Sequence, residues 1–405
     1  MIKTINFNLQ NIRYMKLGWI DFSKTERNKI LSILDLLGEK GVLDELGISS
    51  IRDGYSDLFF PGTSTIQTRA KYFFIVPYAF RDLEFNNQYD YSKLRKTFDD
   101  AEKQCANIFL ENNLNEQGVI GKRSIQGGGW VSRTPASIYW AGLRKYGFFK
   151  RKMSIDQYIK FIAVQKQNTK GAVSLGNRSD ESHDDKNAGD IQKVHLFNVP
   201  TYKRDWMDNL EINLTFEEGQ FLKSQIIERC PDSIMAYILK EDIYEFLDIP
   251  SFSDLDAIKL PDEIQNNFLK AKSFSEFCFA LRVVYNLMVS ENKNSKANEE
   301  YNKMDFKSIS NIDIDGIMNS LNVFNPNLRT FLNHSRKAME NEDLEELKRV
   351  IREREVSLKG INRSRTAHPG EYDINEWFAG EKLDYRFSIA RDIIDDIYES
   401  EGAGD

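Results

Sequence analysis

The stretch that decides the fold is residues 46–78, LGISSIRDGYSDLFFPGTSTIQTRAKYFFIVPY, where two helical patterns flank a Pro-Gly pair. The apolar spacing predicts a helix over Ile48 to Phe60, because Pro61 and Gly62 end helical patterns. A second helix is predicted to begin at Thr63 to Thr65, where hydroxyl side chains can accept hydrogen bonds from unpaired N–H groups. Two helices joined in this way have the layout of a helix-turn-helix unit.

Helical periodicity continues along most of the remaining chain, whereas strand-like alternation is scarce and limited to a short candidate at VHLFNVP, residues 194–200. We therefore predict a mainly α, multi-domain helical protein with few short strands and with helix-turn-helix or winged-helix-like units near its N-terminus. The other predicted helices cover about Ser23 to Gly38, Ser92 to Asn112, Ala136 to Tyr146, Ser154 to Gln165, Asn327 to Lys359 and Arg386 to Tyr398, and three more begin near Phe216, Asp232 and Asp262.

The chain of 405 residues exceeds the roughly 250–300 residues at which a single hydrophobic core stops growing. Two polar stretches, residues 168–192 and the run SENKNSKANEE at 290–300, have little to bury. The predicted division is an N-terminal helical domain over 1–167, a polar linker over 168–192, a middle helical domain over 193–290 and a C-terminal helical domain over 301–405.

The sequence also indicates where the protein resides and whether it holds disulfides, a metal or a cofactor. The start MIKTINFNLQ lacks a signal-peptide pattern, and no apolar stretch approaches the ~20 residues of a membrane span. The three cysteines are odd in number and far apart, and none of the four histidines stands in a metal-binding spacing. We expect a cytoplasmic protein without membrane contact, disulfides, a metal or a cofactor.

The most basic part of the chain is the window from Gly118 to Lys170. It holds eleven Lys or Arg against the single acid Asp156, a local charge of +10, so the remainder of a chain with net charge −7 carries −17. Lys and Arg neutralise phosphates and release counterions, so the window predicts nucleic-acid binding. An acidic partner protein or a merely solvated face would also fit. The predicted contacts are Lys122, Arg123, Arg133, Arg144, Lys145, Lys150, Arg151 and Lys152.

The same window is rich in aromatic residues, which could stack on unpaired bases. However, Tyr139, Trp140, Leu143 and Tyr146 recur at helical spacing after a proline, so most of these rings are predicted to be core. The glycines of GVIGKRSIQGGGW do not match the spacing of a phosphate-binding loop. The prediction therefore depends on charge, with residues 144–152 at its centre.

A second nucleic-acid candidate is the start of the helix after Pro61-Gly62, where polar residues would form a recognition helix. Core packing of an ordinary amphipathic helix explains this composition equally well. The candidate contacts are Thr65, Gln67, Thr68, Arg69 and Lys71.

One short pattern indicates an enzyme. Arg329 and His334 fit R-x4-H, which resembles the motif of HEPN-type helical ribonucleases, whose histidine acts in acid–base exchange on RNA. Arg363 and His368 fit the pattern equally well in an apparent loop. The acidic pair at residues 395 and 396 is interpreted as a solvated helix face rather than a metal site. We find no other catalytic motif.

Four groups of residues resemble an uncharacterised bacterial family, a domain of unknown function. They are LGWIDFS at 17–23, the stretch at 46–78 with its specific block FPGTSTIQTRAKYF, GVIGKR with PASIYWAGLRKYG, and REREVSLKG with LDYRFSIARDIIDDI. The resemblance implies a component of a phage-defence gene cluster, with a helicase and a phospholipase-D-like protein as partners. Together these observations predict a non-catalytic accessory subunit that binds nucleic acid and docks partner proteins. The alternatives are the ribonuclease and a protein-only scaffold.

Overall fold

The computed structural model describes residues 44–176 and 196–402 of the chain. These residues form fifteen α-helices and four short 3-10 helices, with one isolated antiparallel bridge between Phe149 and Phe197 in place of a sheet. The prediction of a mainly α protein is confirmed. The helices are α1 Ser49–Phe59, α2 Tyr72–Phe85, α3 Tyr91–Asn112, α4 Lys122–Gln126, α5 Pro135–Lys145, α6 Ile155–Gly176, α7 Phe216–Arg229, α8 Ile234–Lys240, α9 Asp262–Val289, α10 Ser295–Lys303, α11 Phe306–Ile309, α12 Ile314–Ser320, α13 Pro326–Glu340, α14 Leu344–Lys359 and α15 Phe387–Gly402; the 3-10 helices are Tyr244–Asp248, Phe252–Ala257, Ile361–Arg363 and Arg365–Ala367.

Two helices are buried around most of their circumference and organise the core. Every residue of α2 from Tyr72 to Phe80 is buried, and so is every residue of α9 from Phe277 to Val289. A helix that is apolar all round must be covered on all sides. Helices α3 and α5 pack against α2, while α10 and α14 pack against α9.

Aromatic side chains fill the core around α2. The ring of Phe80 stacks on Phe98 with centroids 4.1 Å apart and on Phe197 at 5.3 Å. Trp140 and Tyr158 complete the cluster at 5.7 and 5.1 Å from the same ring. This cluster joins α2, α3, α5, α6 and the segment that follows residue 195.

Local signals located several helices correctly. The helix predicted over Ile48 to Phe60 is α1, and α5 begins at Pro135 and precedes Gly147, whose φ is +76°. Helix α9 begins at Asp262 as predicted and continues to Val289. The helix predicted at Ser23 to Gly38 lies outside the described residues, and so does the part of the predicted linker from residue 177 to 192.

Four sequence-based boundaries are wrong, and three of them lie after α5. The charged helix predicted from Asn327 to Lys359 is two helices, because Asp343 accepts a hydrogen bond from Glu346 N–H at 3.0 Å and so begins α14 after a break. The polar run at 290–300 contains the start of α10, which Asn294 caps by accepting from Ala297 N–H at 2.8 Å. Helix α6 also continues into the segment predicted as a linker.

A fourth wrong boundary is the start of α2, which lies at Tyr72 and not at Thr63 to Thr65. Residues 62–71, here called the junction loop, form turns held by their own side chains. Thr63 Oγ1 donates to Phe60 O at 2.6 Å, and Gln67 Nε2 donates to Gly62 O at 3.1 Å. Side chains that bond nearby backbone groups in this way compete with helix formation. The connection is longer than the three- or four-residue turn of a helix-turn-helix unit.

The chain divides into two compact units, Met1–Glu45 and Leu46–Asp405, and nearly all the described residues belong to the second. The division into three domains stays a prediction. No helix in the described part of the chain combines the length and apolarity needed to cross a membrane.

Candidate nucleic-acid interface

The basic centre predicted from the sequence lies at the end of α5 and in the connection that follows it. We call Arg144, Lys145, Lys150, Arg151 and Lys152 the basic surface. All five side chains are exposed. Arg144 and Lys145 occupy the last turn of α5, where positive charge also favours the helix by offsetting its dipole.

The backbone beneath the basic surface is held on both sides. Phe149 N–H donates to Leu143 O at 3.2 Å, which folds the connection back onto α5. Lys150 N–H donates to Leu196 O at 3.1 Å, and Asn198 N–H donates to Phe148 O at 2.7 Å. The cations therefore project from a backbone with a fixed course.

Four of these cations have no partner within the described protein. Arg144, Lys145, Lys150 and Arg151 make no hydrogen bond or ion pair through their side chains among the described residues. The single acid of the window, Asp156, is occupied elsewhere, because its Oδ1 accepts from Arg95 at 2.8 Å. Their positive charge is consequently available to an external anion.

The other predicted cations lie on other segments of the chain. Lys122 and Arg123 begin the short helix α4, and Lys122 Nζ donates to Glu116 O at 2.9 Å. Arg123 is exposed, and so is Arg133, which precedes α5. Arg133 therefore lies at the opposite end of α5 from the basic surface, and Lys122 and Arg123 lie on a separate helix.

The aromatic residues of the window are core, as predicted. Tyr139, Tyr146 and Phe148 are completely buried, and Phe149 and Trp140 are 4% and 9% exposed. Their rings contact one another and α2; Trp140 and Phe149, for example, lie 4.8 Å apart. The half-buried Trp130 packs over Gly121, where an added Cβ would be 2.7 Å from the indole ring. None of these rings is presented beside the five cations.

One basic residue near this surface was missed from the sequence. Arg229 ends α7, far from the basic window in sequence, and its side chain is 50% exposed. An added Cβ at Gly147 would lie 2.9 Å from Arg229 Nε, so the guanidinium rests directly against the turn that carries the basic surface. Lys145 is also close to the end of α7. Burial raises the pKa of Cys230, the residue after Arg229, and the positive charge of Lys145 opposes this rise.

The second predicted set of contacts lies in the junction loop and is largely turned inward. Arg69 Nε donates to Asp396 Oδ1 at 2.7 Å, and its Nη2 donates to Asn213 Oδ1 at 2.6 Å. Thr68 Oγ1 donates to Gly118 O at 2.6 Å. Gln67 and Lys71 are 2% and 5% exposed, which leaves Thr65 as the exposed member of the set. The loop links α1 and α2 to distant parts of the chain.

Lys71 forms a buried ion pair with Glu218 of α7. The Nζ to Oε2 distance is 2.7 Å, and both side chains are at most 6% exposed. Glu218 also accepts from Tyr78 Oη at 3.0 Å and from Thr215 N–H at 2.9 Å, which completes the capping box of α7. This lysine is part of the core and has no position from which to reach a phosphate.

Asp396 was interpreted as part of a solvated helix face, and that interpretation is wrong. The side chain is 6% exposed because α15 turns it toward the junction loop, where its Oδ2 accepts from Ala70 N–H at 2.6 Å. Burial raises the pKa of Asp396 to about 6, against the opposing effect of Arg69. Asp395, its neighbour, is exposed. No group of three or more potential metal ligands occurs among the described residues.

Both residues of the R-x4-H pattern lie on α13. Five residues of helix rotate them about 140° apart around the axis. Arg329 pairs with Asp315 at 3.3 Å and donates to Asn319 Oδ1 at 2.9 Å, whereas His334 is exposed. Two surface cavities of about 540 and 450 Å³ lie elsewhere and include neither residue in their linings. In the second pair, Arg363 Nε donates to Lys359 O and His368 Nε2 lies 3.2 Å from Ile361 O, so each side chain contacts a backbone carbonyl.

The comparisons with known proteins identify a family without an assigned activity. Neither the curated proteins nor the solved structures give a match to the chain. The model of the family described as "Family of unknown function (DUF6361)" matches residues 14–312, which include the junction loop, the basic surface and Arg229. Because this match covers more than half of the sequence, the chain belongs to the family of unknown function DUF6361.

Proposed function

We propose that the protein is a non-catalytic, nucleic-acid-binding subunit and that the basic surface is its binding site. The observation that carries the proposal is the set of exposed cations with no partner in the described protein: Arg144, Lys145, Lys150 and Arg151. Elsewhere cations of this chain are commonly neutralised, as Arg69 and Lys71 are by Asp396 and Glu218. Unpaired Lys and Arg side chains on a fixed backbone suit phosphate binding, which gains free energy from counterion release.

The direct test is nucleic-acid affinity measured as a function of salt. In the test variant all five residues of the basic surface are changed to Ala. A matched control changes five other exposed cations, which removes the same charge from the chain: Lys259, Lys270, Lys307, Lys337 and Arg352. DNA and RNA binding is followed by fluorescence anisotropy at several salt concentrations.

We expect the test variant to bind more weakly and with a flatter dependence on salt, because each lost phosphate contact removes about 0.9 from the slope of log K against log salt. The control variant should stay close to the wild type. Identical affinities and slopes for all three proteins would overturn the proposal. A loss of equal size in both variants would also overturn it, since net charge rather than this surface would then determine binding.

The same preparation tests the catalytic alternative. The proposal expects no RNA cleavage by the purified chain, and no difference between the wild type and a His334→Ala variant. Cleavage that disappears in His334→Ala, with binding unchanged, would instead establish the ribonuclease that the R-x4-H pattern suggests. This readout is independent of the basic surface.

The biological setting that we propose is antiphage defence, in which this chain binds nucleic acid and partner proteins carry out the chemistry. The resemblance in the sequence motivates the helicase and the phospholipase-D-like protein as partners, and the net charge of −17 outside the basic window offers acidic surface for docking. Affinity purification from cells of the source organism, with nuclease-treated and untreated halves, checks both expectations. Partners retained only in the untreated half are bridged by nucleic acid. A basic surface that instead crosslinks to an acidic protein would establish the scaffold alternative.

A further inference from the structure

We infer that the basic surface is a binding site for the backbone of double-stranded nucleic acid, and that Arg229 of α7 is part of it. This inference rests on the proposed function and names the class of nucleic acid that the same surface accepts. It follows from three features of the surroundings: the burial of the rings, the shape of the backbone that carries the cations, and the contribution of a second helix.

The first feature is the absence of a stacking platform beside the described cations. Proteins that hold single strands place aromatic rings under successive bases, and each stacked base contributes about 1–3 kcal/mol. Here the rings closest in sequence to the cations are committed to the core: Tyr146 contacts Phe73 at 5.2 Å, and Phe148 contacts Phe74 at 5.4 Å. Exposing them would break the packing of α5 on α2. Among the described residues, the rings nearest in sequence to the cations are therefore unavailable to the bases of a single strand.

The second feature is the rigid, outward course of the chain at the basic surface. The bonds from Phe149 and Lys150 N–H fix the connection between α5 and the segment at 196–198. The cations consequently stand on the outside of a packed turn, where all five side chains are exposed. A single strand is usually held in a positively charged groove that follows its backbone. An outward-facing set of cations instead suits a duplex, which presents one phosphate charge per about 1.7 Å of its axis.

The third feature is that the surface extends onto α7. Arg229 rests against Gly147, and the positive φ of +76° at that glycine lets the chain turn beneath the guanidinium. The only ion pair of Arg229 among the described residues is with its neighbour Glu228 at 3.3 Å. The cations of α5, of the connection and of α7 thus form one composite surface that three segments of the chain build together.

The test compares a short DNA duplex of mixed sequence with each of its two separated strands, using the full-length wild-type chain and anisotropy at several salt concentrations. We expect the duplex to bind about tenfold more tightly than either strand, because only phosphate contacts contribute and their density is highest on the duplex. Binding of either strand that equals or exceeds that of the duplex would overturn the inference and leave the proposed function intact. Failure to bind any of the three probes, together with failure to bind the RNA duplex and strands of the same sequence, would overturn the proposed function itself.

Arg229 has its own test on the same duplex. Arg229→Ala should weaken duplex binding and flatten its salt dependence by about one phosphate contact, whereas Arg229→Lys, which keeps the charge, should retain the slope. The matched control is Arg352→Ala, an exposed arginine on α14. A slope for Arg229→Ala equal to that of the wild type would remove Arg229 from the surface. A circular-dichroism melt of each variant verifies that the fold is retained.

Discussion

The junction loop and the basic surface contain the same kinds of cation and use them in opposite ways. In the loop, Arg69 and Lys71 reach carboxylates that lie far away in sequence, and Lys71 is buried with its partner. On the basic surface, Arg144 and Lys150 remain exposed and unpaired within the described chain. Residue type alone therefore does not distinguish a cation that stabilises the fold from one that is available for binding. The distinction depends on which carboxylates the fold brings near.

The largest expected loss of stability follows from a substitution in the junction loop. Changing Lys71 to Met leaves Glu218 buried without its counter-charge, so we expect the free energy of unfolding to fall by about 3–5 kcal/mol. Urea unfolding followed by circular dichroism measures this change. The double variant Lys71→Met/Glu218→Gln should recover much of the loss, because Gln is neutral, its amide oxygen can accept from Thr215 N–H and its amide N–H can donate to the Tyr78 hydroxyl, which can in turn donate to Thr201 Oγ1. A loss below about 1 kcal/mol in the single variant would show that the buried Lys71–Glu218 pair contributes no more to stability than an exposed ion pair does.

A change in stability of intermediate size is expected from Glu102, which accepts a hydrogen bond at the start of α5, the helix that carries part of the basic surface. Its Oε1 accepts from Ala136 N–H at 2.6 Å at the beginning of α5, and burial raises the pKa of this carboxyl group from 4.5 to about 8, against the opposing effect of that bond. Between pH 4.5 and about pH 8 the carboxyl group of Glu102 is protonated in the folded chain and ionised in the unfolded chain. Stability contributed by Glu102 therefore falls as the pH rises, by up to about 1.4 kcal/mol per pH unit, and levels above pH 8.

The variant Glu102→Gln isolates that effect, because Gln keeps the acceptor and stays neutral at every pH. We expect the difference in unfolding free energy between Gln and wild type to be small near pH 5 and to grow in favour of Gln by about 1–3 kcal/mol toward pH 8. Urea midpoints at three pH values between these limits provide the measurement. A constant difference across this range would contradict the raised pKa. Nucleic-acid binding at pH 7 should be unchanged, because Glu102 is remote from the cations along the axis of α5.

The sequence predicted those parts of the fold that depend on neighbouring residues. Pro61-Gly62 ended α1, and Pro135 and Gly147 bounded α5, because proline and positive-φ glycine act within one turn of the chain. The same local reasoning predicted that the rings of α5 are core. These signals need no knowledge of tertiary contacts.

Errors arose where distant residues decide the local structure. Besides its own local bonds, the junction loop is held in its non-helical course by distant residues, because Thr68 Oγ1 donates to Gly118 O and Thr68 N–H donates to the Tyr139 hydroxyl. Asp396 is buried because Arg69 reaches it across the molecule. Arg229 was missed for the same reason, since only the folded chain brings α7 to Gly147. The basic surface was thus predictable as a run of charge, whereas the position of Arg229 beside it was not.

The smallest expected effect is on the stability of the basic surface itself. Changing the four residues that have no partner in the described chain, Arg144, Lys145, Lys150 and Arg151, to Ala should alter the free energy of unfolding by no more than about 1 kcal/mol, because exposed substitutions without partners are usually within about 0.5 kcal/mol of neutral. The loss that does occur should come from Arg144 and Lys145, whose charges offset the dipole at the end of α5. Urea unfolding of this variant beside Lys71→Met compares the two regions directly. A loss above about 2 kcal/mol would mean that these cations stabilise the fold as Lys71 does, and their exposure would no longer be an argument for binding. Near-wild-type stability combined with lost nucleic-acid affinity would separate the two uses of positive charge within one chain.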